Sequence, residues 1–235
     1  GIGSVSGVTI RGVLFDFAGT LFSAEPRFDD LAGVTDADGN ELTPEGFGEL
    51  VRAVIAPTTH FASDEEEFAH AWQNRDLDPV LHRKAFVEAI RRTGLTAGEH
   101  ATVLYERMID TASWRPFPDV PEVFAALAAQ DVPIAVVSNI AFDIRPAFTA
   151  AGIDQYVTEY VLSYEHGVVK PDRRIFEIAL KAIGVDAEEA LMVGDSRRAD
   201  GGALALGMKF SLVPATRPAE RPTALRDALA EHGLH

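Results

Sequence analysis

The sequence Gly12-Val13-Leu14-Phe15-Asp16-Phe17-Ala18-Gly19-Thr20-Leu21-Phe22 contains the feature on which the predicted fold rests. An apolar run beginning near Val8 has the length of a strand, and Asp16 ends it just before a Gly-Thr turn. A strand this continuously apolar is typical of the buried centre of a parallel sheet. Open α/β sheets bind ligands at the carboxyl ends of their strands. We therefore predict that Asp16 lies where a catalytic nucleophile would be placed.

The composition is that of a globular protein with a substantial core. The chain has 235 residues, of which 47% are hydrophobic, enough for one large domain or for a core with a smaller insert. Its 36 acidic and 21 basic residues give a formal charge of -15. This charge disfavours nucleic acid and anionic membranes as partners, because both are bound by clustered cations.

Other features of the composition limit the class of protein further. The absence of cysteine excludes a disulfide framework and a thiolate metal site. No apolar run approaches the roughly 18 residues of a membrane span, and Gly1 to Gly7 lack the regions of a signal peptide. We expect a cytoplasmic monomer or homodimer whose partner is a small molecule.

The residues after the first motif change character. Between Ser23 and Arg115 strand signals nearly vanish and helical periodicity dominates, which predicts an inserted helical segment. We predict a core of residues 1–22 and 116–235 and a helical cap of residues 23–115. The helical patterns of the cap cover residues 44–56, 64–73, 79–93 and 97–113.

Helix and strand patterns alternate after the proline-rich return at residues 115–120. Strands are predicted at residues 133–137, 160–163, 190–193 and 210–213, and helices at 121–130, 142–151, 172–183 and from about 223. This alternation predicts an α/β fold with a doubly wound parallel sheet, Rossmann-like in architecture.

Four motifs follow one another in an order that resembles a known family. After Asp16 come Ser138 at a strand end, Lys170 before a proline, and Asp195 with Asp200 after a further strand. The chain resembles the haloacid dehalogenase superfamily, subfamily IA, whose first motif reads Asp-x-Asp-x-Thr. The resemblance implies the same Rossmann-like core with an inserted α-helical cap of the C1 type. It also implies a Mg²⁺-dependent phosphatase that acts on a small phosphorylated metabolite.

The resemblance also assigns roles to residues. It implies that Asp16 becomes an aspartyl-phosphate, Thr20 supports the nucleophile loop, Ser138 binds a phosphoryl oxygen, and Lys170 pairs with the nucleophile and the transferred group. The implied metal ligands are Asp16, the backbone carbonyl of Ala18, Asp195 and Asp200, and the implied substrate-binding residues are Phe17, Ala18, Ser138, Asn139 and Lys170. Oxygen ligands of this kind suit Mg²⁺.

Ala18 departs from the family pattern, since most phosphatases of the superfamily have a second aspartate there. That carboxyl protonates the leaving group and then activates water, help worth about 10²–10⁴-fold. The substrate of this chain could have a leaving group that needs no proton, such as an acyl phosphate. Alternatively, a neighbouring group could supply the proton, with His166, Asp76 and His82 as candidates.

Three other interpretations of Ala18 remain open. Phosphonoacetaldehyde hydrolase also has alanine here and uses a cap lysine, for which Lys84 would be the counterpart, although the residues around Lys84 differ from that motif. Dehalogenases replace the second aspartate by tyrosine and need no metal, whereas Asp195 and Asp200 are retained here. The third is a phosphate- or ligand-binding module without turnover.

Two polar segments of the insertion have ordinary structural interpretations beside functional ones. Residues 34–42 offer oxygen atoms at alternate positions, but they lack the later glutamate of a calcium loop, and Asp38-Gly39 favours a tight turn. In residues 74–84, Asp78 is predicted to cap a helix. The alternative is that this segment faces the substrate through Arg75, Asp76, His82, Arg83 or Lys84.

Overall fold

A computed structural model of the chain describes residues 8–55 and 65–235. The strands are β1 (Gly12–Phe15), β2 (Phe22–Ala24), β3 (Trp114–Pro116), β4 (Ile134–Ser138), β5 (Val157–Leu162), β6 (Ala190–Gly194) and β7 (Lys209–Leu212). Within the described residues, five of them form a parallel sheet in the order β5-β4-β1-β6-β7. The strand that precedes Asp16 is therefore central, as its apolar sequence predicts.

Both faces of this sheet are covered. Along β1 successive side chains point to opposite faces: Val13 and Phe15 join one hydrophobic cluster, and Leu14 joins the other. The second cluster also contains Ile175 and Phe176, which lie in the helix Arg173–Ile183. The result is the predicted α/β arrangement with helices on both sides of a parallel sheet.

The helices occur in two groups. Those between β2 and β3 are α1 (Pro44–Ile55), α2 (Glu66–Asn74), α3 (Pro79–Thr93) and α4 (Ala101–Ile109). Those after β3 are α5 (Val120–Ala129), α6 (Arg145–Ala150), α7 (Ser163–His166), α8 (Arg173–Ile183) and α9 (Ala224–Ala230). The antiparallel pair β2 and β3 connects the two groups. The predicted cap boundaries fall at these two strands.

Several predicted bounds are wrong for local reasons. The predicted helix at 97–113 is interrupted, because Asp110 is extended and its carboxylate accepts the Ala112 N–H at 2.9 Å. The predicted helix at 142–151 begins only at Arg145, whose N–H is accepted by the Asp143 carboxylate at 3.1 Å. The predicted starts at Val8 and Tyr160 become Gly12 and Val157. Residues 56 and 64, the predicted limits of two helices, lie outside the described residues.

The two ordinary interpretations of the polar segments are confirmed. The Asp36 carboxylate accepts the N–H groups of Asp38 and Asn40, each at 2.9 Å, and thereby closes a tight turn. Asp78 accepts the N–H groups of Val80 and Leu81 at 2.8 and 3.0 Å and caps α3.

Aromatic packing joins the insertion to the sheet. The ring of Phe22, on β2, lies 4.8 Å from that of Phe148 on α6, and Trp114, on β3, lies 5.0 Å from Phe17. Such contacts stabilise the junction between the insertion and the sheet, because aromatic rings bury large apolar areas. Among the residues that the structure describes, no helix combines the length and the apolar character that crossing a membrane requires.

Candidate active site

Asp16 lies at the carboxyl edge of the sheet, immediately after the central strand. Its N–H donates to the Val193 carbonyl at 3.0 Å and so extends the pairing of β1 with β6 by one residue. The residue is 8% exposed, which leaves its carboxylate reachable at the edge of a buried core. The backbone thus fixes the predicted nucleophile.

Lys170 is buried against this carboxylate. Its Nζ donates to Asp16 Oδ1 at 2.8 Å, to Asp200 Oδ1 at 2.6 Å and to the Val137 carbonyl of β4 at 2.8 Å. Burial acts to lower the pKa of Lys170, but the two carboxylates more than offset it, so the pKa lies above its ordinary value. The lysine is therefore a fixed cation beside the predicted nucleophile.

The carboxylates of Asp16, Asp195 and Asp200 form one acidic cluster. Each contributes an oxygen, and these oxygens lie within 4.8 Å of one another. When all three carboxyls are ionised, their charge exceeds that of the single ammonium of Lys170 by two negative charges. Burial, together with the charge of Asp16, raises the pKa of both Asp195 and Asp200. An oxygen-rich cluster with this excess charge suits a divalent cation such as Mg²⁺.

Close backbone approach holds Asp200 in the cluster. Its Oδ2 accepts the Ser196 N–H at 2.9 Å, and a Cβ placed on Gly194 would lie only 2.1 Å from that same oxygen. Only a residue without a side chain can therefore end β6 beside Asp200.

The loop after Asp16 folds back onto the same cluster. The Thr20 hydroxyl lies 3.4 Å from Asp16 Oδ2 and 3.5 Å from Asp195 Oδ1. Gly19 has φ of +78°, and a Cβ there would lie 2.8 Å from Asp195 Oδ2. Glycine thus permits both the left-handed turn and the close approach of the two acidic loops.

The end of β4 also borders the site. Ser138 ends the strand and is 2% exposed. The Asn139 side chain accepts the Lys170 N–H at 2.7 Å and donates to the Lys170 carbonyl at 2.9 Å. Asn139 therefore positions the lysine loop through two hydrogen bonds, while its predicted contact with substrate stays a prediction.

A family model supports the arrangement of these loops. The model for haloacid dehalogenase-like hydrolases matches residues 10–206 and so includes every motif from Asp16 to Asp200. The chain belongs to this family.

Similar proteins agree with membership of the haloacid dehalogenase-like hydrolases. The chain is 28% identical over 195 residues to a phosphoglycolate phosphatase of Yersinia pestis, covering 80% of this chain and 74% of that protein. A glyceraldehyde 3-phosphate phosphatase of Methanopyrus kandleri is 29% identical, with coverages of 79% and 76%. A phosphoserine phosphatase of Thermus thermophilus is 35% identical, and this match covers 51% of the chain and 49% of that protein.

Among solved structures, the L-2-haloacid dehalogenase of Xanthobacter autotrophicus has the same fold. Its TM-score is 0.62 at 20% identity, over 93% of this chain and 83% of that chain. At this identity the likeness concerns the fold alone. It agrees with a haloacid dehalogenase-like hydrolase that has a cap domain.

In this haloacid dehalogenase-like hydrolase, Phe17 and Ala18 have different surroundings. The Phe17 ring is fully buried, with ring centroids 5.1 Å from Phe22 and 5.9 Å from Phe148. Its side chain is therefore part of the core. A contact of Phe17 with substrate would have to be made by its backbone atoms, and it stays a prediction. Ala18 is half-buried on the same loop, and its methyl group has no proton to donate.

The predicted substitutes for the missing aspartate differ in their surroundings. His82 is buried, its Nδ1 is hydrogen-bonded to the Tyr105 hydroxyl at 2.9 Å, and burial together with Arg75 lowers its pKa to about 3. His166 is exposed at the end of α7. The carboxyl of Asp76, by contrast, interacts electrostatically with Lys170. Asp76 is therefore the candidate linked to Lys170, which bridges Asp16 and Asp200.

Arg221 is a residue of the site's support that the sequence pattern does not reveal. It is 3% exposed, and its guanidinium donates to the carbonyls of Gly19 and Thr20, each at 2.7 Å, and to that of Pro214 at 2.9 Å. The guanidinium also lies 3.7 Å from the centre of the Phe117 ring. No local signal in the sequence marks this role, because Gly19 and Thr20 lie about two hundred positions away from Arg221 along the chain.

Proposed function

We propose that the chain is a Mg²⁺-dependent phosphatase that transfers the phosphoryl group of a small phosphorylated metabolite to Asp16 and then to water. The observation that carries this proposal is the Lys170 ammonium, which bridges Asp16 and Asp200 at the carboxyl edge of the sheet. The phosphatase names of the relatives agree with it.

The residues of the cluster divide the work of phosphoryl transfer. An Asp16 oxygen attacks phosphorus as the bond to the leaving oxygen breaks, which gives an aspartyl-phosphate. Lys170 neutralises charge on the phosphoryl oxygens and holds Asp16 in orientation, and Ser138 donates its hydroxyl to one of those oxygens. Asp16, Asp195, Asp200 and the Ala18 carbonyl would hold Mg²⁺. When bound, the cation supplies positive charge that stabilises the negatively charged phosphoryl group.

The other interpretations of Ala18 have less support. Lys84, the lysine needed for a phosphonate reaction, is half-exposed on the surface of α3 and pairs with Glu67 at 3.1 Å. Dehalogenases need no metal, whereas Asp195 and Asp200 lie in an acidic cluster that suits a divalent cation. A binding module without turnover would not require a nucleophile held by Lys170 in a reactive position.

The test is phosphate release from phosphoglycolate, phosphoserine, glyceraldehyde 3-phosphate and acetyl phosphate, with Mg²⁺ or with a chelator. We expect release that requires Mg²⁺ and falls to background in Asp16→Asn, because the amide cannot form the covalent intermediate. Asp186→Asn changes an exposed aspartate and is the matched control. Equal release by wild type and Asp16→Asn would contradict the proposal. Absence of release with retained Mg²⁺-dependent phosphate binding would favour the binding module.

A further inference from the structure

Asp76 is tied to the edge of the active site by its backbone. It lies in the loop between α2 and α3, and its carbonyl accepts the Ser163 hydroxyl at 2.5 Å. The Ser163 hydroxyl oxygen also accepts the Ile140 N–H at 2.9 Å and lies 3.0 Å from the Ile140 carbonyl oxygen. Ile140 directly follows Ser138 and Asn139, so this chain of hydrogen bonds connects the loop of the insertion to the strand end that carries two predicted substrate contacts.

The carboxyl of Asp76 is set in charged and largely water-excluded surroundings. Its side chain is 16% exposed, and Arg75 Nε lies 3.8 Å from its Oδ2. The charged groups that act on it are Arg75 in its own loop and Lys170 in the core. Burial raises the pKa of Asp76 to about 6, against the attraction of both cations. Such a carboxyl is present in both protonation states near neutral pH, as an acid and base in one cycle must be.

We propose that Asp76 is the general acid and base of this enzyme, supplied by the insertion in place of the carboxyl that Ala18 lacks. The inference rests on the phosphatase function proposed above. Two observations carry it: the hydrogen bond that ties the Asp76 loop to Ser163, and the largely buried Asp76 carboxyl 3.8 Å from Arg75.

The proposed steps balance. Protonated Asp76 gives its proton to the leaving oxygen as Asp16 attacks phosphorus, so an alcohol departs and the aspartyl-phosphate forms. Ionised Asp76 then takes a proton from the attacking water. The bond between phosphorus and Asp16 breaks, hydrogen phosphate leaves, and both residues regain their first state. No other proton donor or acceptor is needed.

The test compares Asp76→Asn with wild type on substrates that differ in their need for a proton. The first is the alkyl ester that wild type hydrolyses fastest among phosphoglycolate, phosphoserine and glyceraldehyde 3-phosphate; the second is acetyl phosphate. For the alkyl ester we expect kcat to fall about 10²–10⁴-fold, because the alkoxide then leaves unprotonated. For acetyl phosphate we expect phosphorylation at nearly the wild-type rate, since acetate leaves without a proton. Phosphoenzyme should then accumulate on acid quench, because water has lost its base.

Further variants separate this role from a structural one. Ala18→Asp in the Asp76→Asn background restores a carboxyl at the site and should recover turnover. Arg75→Gln removes a cation that lowers the pKa of Asp76, so the inflection of the alkyl-ester pH profile should move to higher pH even if Asp76→Asn folds poorly. Glu106→Gln, which changes a half-exposed acid of the insertion, is the control. It should alter neither the turnover of the alkyl ester nor the inflection of its pH profile.

Each failure is recognisable. Activity that depends on Asp16 but is unchanged in Asp76→Asn for the alkyl ester overturns the inference and leaves the phosphatase proposal intact. Hydrolysis by wild type of acetyl phosphate alone also overturns it, because an enzyme with a proton donor hydrolyses alkyl esters. Absence of any Asp16-dependent release overturns the phosphatase proposal, and the inference with it.

Discussion

The carboxyl edge of the sheet and the loop of the insertion hold their charges in different ways. At the sheet edge, Lys170 Nζ makes hydrogen bonds of 2.6 to 2.8 Å, and its side chain is 2% exposed. In the loop, Arg75 and Asp76 are 3.8 Å apart, and their side chains are 29% and 16% exposed. The edge is fixed by several strands, whereas the Asp76 carbonyl of the loop is joined to the core by a hydrogen bond from the Ser163 hydroxyl.

The difference teaches where chemistry and adjustment are located in this fold. Charges held by neighbouring strands cannot move without disturbing the sheet, so the edge suits the proposed attack on phosphorus, a step that every substrate would share. A loop outside the sheet tolerates substitution of its charged residues at less cost to stability. We infer that the proton for the leaving group comes from the more adjustable of the two regions.

Lys170→Met gives the largest expected effect and tests whether the edge is a single charged unit. Removal of the ammonium leaves Asp16 and Asp200 buried and uncompensated, so the free energy of unfolding should fall by about 3–5 kcal/mol without metal. The kcat should fall about 10²–10³-fold, as on loss of a charge that stabilises the transition state. Chemical denaturation and phosphate release measure the two effects.

Lys84→Met is the matched control from the insertion. Lys84 is half-exposed and pairs with Glu67, so its loss should change stability by no more than about 0.5 kcal/mol. If both lysine variants behaved alike, the distinction between the rigid edge and the exposed surface of the insertion would be wrong.

The features that the sequence predicts well are those with local signals. Asp16 and Asp195 each follow an apolar run of strand length, and such runs end at the same edge of a parallel sheet. Lys170 carries no such signal, and its place beside Asp16 was implied by the resemblance alone. The role of Asp78 as the N-terminal cap of helix α3 was predictable, because helix capping depends on residues that are neighbours in sequence.

Contacts between residues distant in sequence could not be predicted. Arg221 reaches Gly19 across about two hundred residues, and nothing local distinguishes it from the exposed arginines of the same tail. The Asn139 side chain has both a donor and an acceptor. From the sequence alone, it could equally contact substrate or make its observed bonds to Lys170. For Asp76 the decisive contact is made by a backbone carbonyl, which every residue has.

Arg221→Met tests how far the edge depends on this distant support. The change removes a charged donor from the carbonyls of Gly19, Thr20 and Pro214, and the free energy of unfolding should fall by about 3 kcal/mol. The loop after Asp16 should also lose its exact position, so kcat should fall about 10-fold. Arg226→Met, which changes an exposed arginine of α9, is the control and should leave both quantities near wild type. An unaffected kcat in Arg221→Met would mean that the sheet holds the nucleophile loop unaided.

Among the predictions for buried residues, His82 gives the smallest expected effect, and this effect concerns stability alone. It is 2% exposed, its ring lies 4.4 Å from that of Phe86, and its pKa is lowered from 6.5 to about 3 by burial and by Arg75. Above pH 6.5 neither the folded nor the unfolded state binds a proton at this residue. Below it the unfolded state becomes protonated first, so stability is lost as pH falls from 6.5 towards 3. Between pH 7 and pH 5 the loss from His82 should be about 2 kcal/mol.

His82→Gln should remove this part of the pH dependence, because glutamine does not titrate. The measurement is the free energy of unfolding at pH 7 and pH 5 for wild type, for His82→Gln and for His70→Gln, an exposed histidine of α2. Comparison of the differences between the two pH values cancels the packing cost of each substitution. A wild-type difference retained in His82→Gln would show that His82 gains its proton without unfolding. The ring of His82 would then be reached by water in the folded protein, and the buried and adjustable parts of the insertion could not be distinguished by pH.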